Sequence, residues 1–151
     1  MDLMPDLMSD DAFATAFESC ELPNQVFRHR EHVRLTFIYL RRYEFEGAGT
    51  RIAEAIRKYA LHNGAPQKYH ETITRAWLRI VYAAASSIGE GASFEEMLEA
   101  HPDLLNKGTL ARYYSEELLR SDAARSSFVE ADRAALPALI GDSLGRRGRS
   151  K

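Results

Sequence analysis

Between Gln25 and Glu90 no run of residues alternates apolar with polar, and glycine and proline are sparse. A half-buried strand needs that alternation. A helix instead repeats its apolar residues at three- and four-residue spacing, as this stretch does. The expected fold is therefore all-α, a single-domain helical bundle of about five to seven helices. The chain has 151 residues, with 45% apolar and 28% charged. That is one domain's length and enough apolar surface for a core, which excludes wholesale disorder.

Helix signals divide the chain further. Residues 1–8 form an expected leader, 9–140 the bundle and 141–151 a flexible basic tail. Ser9, Asp10 and Asp11 offer an N-cap to a first helix, with Phe13 and Phe17 on one face. A second helix is expected from about Arg28 to Tyr43, closed by a Gly47–Gly49 turn, and a third from about Thr50 to His62. Ile52, Ala55, Ile56 and Tyr59 would face inward on the third. Asn63-Gly64-Ala65-Pro66 stops it, and a fourth helix, the most apolar, runs from about Tyr69 to Ile88. Ser93-Phe94-Glu95-Glu96 is a capping-box pattern for a short helix to about Ala100. Two short helices follow, about Thr109–Leu119 and Ser121–Ser127, before an extended C-terminal segment from Phe128.

The histidines set the chemistry. On a wheel of 100° per residue, His29, His32, Val33, Thr36, Leu40 and Tyr43 share one stripe of the second helix. On the fourth, His70, Ile73, Thr74, Trp77, Ile80, Val81, Ala84 and Ile88 do the same, with Glu71 and Arg75 to the side. Two such helices packed together would bring His29, His32 and His70 to one end of the bundle. Three imidazoles suit one divalent transition metal ion (zinc, copper, iron or nickel), and an open fourth position is the layout of a catalytic zinc site. The zincin pattern H-E-x-x-H is absent, since the spacing here is His29-Arg30-Glu31-His32. The same residues equally suit a metal-free polar pocket, or plain packing of hydrogen-bonded core histidines. His62 and His101 read as surface or cap residues, and Cys20 as a small buried hydrophobe.

Other polar groups lie near the expected centre. Lys68 at the start of the fourth helix would seat a small anionic ligand, with Thr74 and Trp77 lining the site. Glu71 is a candidate base, as is Glu31, while Tyr69 and Tyr114 are candidate proton donors. Arg125 would clamp an anionic substrate or tie the C-terminal segment through Asp132.

Phe27-Arg28-His29-Arg30-Glu31-His32-Val33, Lys68-Tyr69-His70-Glu71-Thr72-Ile73-Thr74 and Tyr113-Tyr114-Ser115 form a set with Leu119, Ser121, Ala124, Arg125, Phe128, Val129 and Asp132. Together they resemble a family of small uncharacterised bacterial all-helical proteins. The resemblance covers most of residues 27–132 and implies a grouping without a mechanism. Ala131 departs from it, standing where proline is expected before Asp132.

A net charge of −2 argues against nucleic acid as a partner. No segment approaches the roughly 20 apolar residues of a membrane span. Met1 to Asp11 holds four aspartates and no Lys or Arg, unlike a signal peptide. A single cysteine fits a cytoplasmic location. No nucleotide cofactor is expected, because both glycine-rich phosphate motifs are missing. The expected function is a small-molecule enzyme or binder built on the three histidines. The alternative is a non-catalytic interaction or regulatory module with structural histidines, in which a homodimer would fit.

Overall fold

The computed structural model describes residues 4–139, which are all-α, with no strand among them. The expected tail, 141–151, and the first three residues of the leader lie outside the described residues. The chain divides into two compact units, Met1–His70 and Glu71–Lys151.

The first unit packs α1 (Asp10–Glu18), α2 (His29–Arg42) and α3 (Phe45–His62) against one another. Ser9 caps α1 by accepting the Ala12 N–H at 3.1 Å, and Phe13 and Phe17 are fully buried on its inner face. Arg34 of α2 holds the leader. Its guanidinium donates to the carbonyls of Pro5 and Met8 at 2.7 and 2.8 Å, pairs with Asp10 at 2.9 Å and lies 4.6 Å over the Phe13 ring. Two residues past the end of α1 stands Cys20, a non-glycine residue with φ of 64°. That left-handed geometry turns the N–H groups of Cys20, Glu21 and Leu22 back onto the last carbonyls of the helix. Cys20 is half-buried rather than buried, because it belongs to this turn and not to the core.

α2 and α3 meet sooner than the glycines suggest. Tyr43 and Glu44 are extended, with ψ of 159° and 161°, and they alone make the break. Gly47 and Gly49 lie inside α3, where Ala48 and Gly49 are buried. α2 is also buried more widely than one stripe: Val33 and every residue of Leu35–Tyr39 are buried, while Leu40 and Tyr43 are half-buried.

The second unit contains α4 (Glu71–Ile88), α5 (Phe94–Ala100), α6 (Glu116–Arg120) and α7 (Asp122–Ser126). Its core includes Trp77, Leu78, Val81, Met97, Leu104 and Tyr114, each no more than 2% exposed. The Ser93 capping box forms in full, through Ser93 N–H to Glu96 Oε1 at 2.7 Å and Glu96 N–H to Ser93 Oγ at 3.1 Å. The helix expected over Thr109–Leu119 does not form as one piece. Tight three-residue turns occupy Pro102–Leu105 and Lys107–Arg112, and Ser115 then caps α6 separately. Thr109 donates to the Asp103 carbonyl and Asn106 accepts from Gly108, so local side-chain bonds replace helical ones.

From Ser127 the chain is extended and strapped down, as expected. Thr72 Oγ1 donates to Ser127 O and accepts from Val129 N–H, the Tyr114 hydroxyl donates to Val129 O at 2.7 Å, and Arg79 donates to Pro137 O. The Asp132 carboxylate accepts from Ser115 N–H at 2.8 Å and Ser115 Oγ at 2.6 Å. Asp132 is thus anchored by Ser115, and Arg125 lies exposed on α7.

Candidate functional site

α2 begins with the first two histidines. Glu31 reaches back to accept the Arg28 N–H at 2.9 Å, which fixes the first turn and occupies that carboxylate. His29 is half-buried at the first helical position. One turn on, His32 packs beside Phe27, with ring centroids 6.4 Å apart. Phe27 in turn meets Phe17 at 4.5 Å and Tyr59 at 5.2 Å, and Phe17 and Tyr59 stack at 4.4 Å. The Tyr59 hydroxyl donates to Leu22 O at 2.8 Å and is pushed up to about 12 by burial. His32 Nε2 is shut off from solvent and has no hydrogen-bond partner. Desolvation, helped by the neighbouring His29, holds the His32 ring down at about 4, so it is neutral at physiological pH.

His70 is buried at the end of the first unit. Among the described residues, no three His, Cys, Asp or Glu side chains form a group that could hold a metal ion, His29, His32 and His70 included. The donor set for a bound metal is therefore not assembled among the described residues.

The remaining expected residues fall as follows. Lys68 is exposed and Tyr69 half-buried beneath the Arg57 guanidinium, 4.8 Å from its ring centroid. Glu71 is buried, not on the flank of the helix, and pairs with Arg75 one turn on at 2.9 Å. Thr74 and Trp77 are core residues, 5% and 2% exposed. The Tyr114 hydroxyl is committed to the strap and pushed up to about 12 by burial, so it is no ready proton donor.

A recess that the histidines do not point to opens elsewhere in the first unit. It has a volume of about 220 Å³ and is walled by Glu18 of α1, Tyr39 of α2, Tyr43 just beyond it, and Arg51, Glu54, Ala55 and Lys58 of α3. The buried Tyr39 hydroxyl donates to the Glu18 carboxylate, and burial first, then that bond, raises its pKa far enough to keep it protonated. Lys58 Nζ donates to the Glu18 carbonyl at 2.8 Å. The Arg51 guanidinium lies 4.2 Å from the centroid of the Tyr43 ring, a cation–π contact that leaves its N–H edge uncommitted. Neither Arg51 nor Glu54 forms an ion pair among the described residues. A sequence signal existed in the spacing of Arg51, Glu54, Ala55 and Lys58, which runs i, i+3, i+4, i+7 along one face of α3.

No family model, curated protein or solved structure matches this chain.

Proposed function

We propose that this protein binds a small molecule, without a metal, in the recess between α1, α2 and α3. The observation that carries this reading is a concavity with an oriented but unneutralised guanidinium, Arg51, on its rim. A binding site needs a concave surface and a few directed polar groups, and this open recess supplies both. The cation–π contact with Tyr43 keeps the guanidinium beside the recess, where an anionic group can meet it. The bond to Glu18 commits the Tyr39 hydroxyl, and burial with that bond keeps it protonated, which favours binding over proton transfer.

The test is a titration of the isotope-labelled protein with representative small carboxylates, phosphates, amines and amino acids, followed through backbone amide NMR signals. Saturable shifts centred on Tyr39, Tyr43, Arg51 and Lys58 are expected for at least one class. Silence at those residues across all classes, together with stable capture of a protein partner, would replace this reading with that of an interaction module.

A further inference from the structure

Resting on that reading, we infer that the ligand is a small zwitterion of the amino-acid class, with its carboxylate on Arg51 and its ammonium on Glu54. The recess carries two cations and two carboxylates. Two of the four already make a hydrogen bond within the protein: the Glu18 carboxylate accepts from the Tyr39 hydroxyl, and Lys58 Nζ donates to the Glu18 carbonyl. Arg51 and Glu54 are left. They stand three apart on one face of α3, close enough to pair, yet they do not bond to each other or to another described residue. Arg51 is turned instead onto the Tyr43 ring.

A pure anion would satisfy the guanidinium and leave Glu54 facing a like charge. A pure amine would satisfy Glu54 and leave Arg51 repelling it. A ligand carrying both charged groups on one carbon satisfies both, and its carboxylate can take the planar two-point bond that guanidinium offers. The volume of about 220 Å³ admits one compact molecule. The Tyr43 ring and the Ala55 methyl supply apolar wall for its side chain.

The experiment uses the full chain and three related probes: L-phenylalanine, N-acetyl-L-phenylalanine, which lacks the ammonium, and 2-phenylethylamine, which lacks the carboxylate. L-Phenylalanine should bind at least about tenfold more tightly than either analogue, the scale of one lost charged hydrogen bond. Arg51→Gln should weaken L-phenylalanine by about tenfold or more. Glu54→Gln should weaken L-phenylalanine comparably and leave N-acetyl-L-phenylalanine unweakened. Both positions are exposed, so far-UV circular dichroism should show both variants folded. Equal affinity for the acid and its N-acetyl form, or no effect of Glu54→Gln, overturns the zwitterion while leaving a binding site in place. If no probe shifts the recess residues, the zwitterion is refuted, and the wider screen of carboxylates, phosphates and amines then decides whether the recess binds at all.

Discussion

His32 is the residue whose surroundings most constrain its behaviour. Its Nε2 is enclosed without a partner, and protonating it would place a charge beside an aromatic ring and next to His29. Its pKa falls from 6.5 in the unfolded chain to about 4 in the folded one. Between those values the unfolded state binds the proton and the folded state does not, so stability drops as pH falls through this window and the loss levels off below it. The full loss is on the order of 3 kcal/mol. Urea unfolding of wild type and His32→Leu at pH 7 and pH 4 should show the variant losing less by roughly that amount. Equal losses would mean that the ring is hydrated. The helical wheel brought this histidine inward correctly. It failed for Glu71, because a single narrow stripe underestimates how much of a core helix is enclosed, and Glu71 is buried with Arg75 as its partner.

At the scale of elements, Ser115 does two jobs with one hydroxyl. Its Oγ accepts the Leu118 N–H to cap α6 and donates to Asp132 to anchor the C-terminal strap. Those hydrogen bonds, the side-chain one first, hold the Asp132 carboxyl below its ordinary range. Ser115→Ala should cost about 1 kcal/mol through the cap. It should also let the Asp132 pKa return upward, as read by side-chain carboxyl NMR, and expose the segment after Ser127 to limited proteolysis. An unmoved Asp132 titration would show that the backbone N–H bond suffices. The cap at Ser93 was readable in the sequence because both partners of a capping box are local. The turns at Pro102–Leu105 and Lys107–Arg112 were not, since three-residue turns leave no 3.6-residue periodicity behind. Gly47 and Gly49 misled for a related reason: glycine marks a turn only where backbone geometry demands it, and here the extended Tyr43 and Glu44 supply the break.

For the molecule as a whole, the all-helical class followed from periodicity alone, while the recess did not, because its walls come from three successive helices whose mutual packing no single helix's periodicity specifies. Composition also could not tell a converging set of three imidazoles from a neighbouring pair, His29 and His32, separate from any third grouped ligand. The separate arrangement predicts that a chelator leaves the thermal unfolding midpoint unchanged within about 1 °C, and that equimolar zinc raises it by no more, since an ion bound only by the folded state would shift it. Differential scanning calorimetry on protein made without a histidine tag checks both. A rise of several degrees with zinc would restore the three-histidine centre. The lone Trp77 is buried in the second unit, so its fluorescence follows that unit's packing.

Phe17 and Tyr59 are stacked face to face, and their chain neighbours Glu18 and Lys58 form two of the recess walls. Rings locked in this way leave those walls little freedom to surrender. An arriving guest would meet a mould already set, so its affinity should be limited by its own fit and rigidity rather than by any closing of the host.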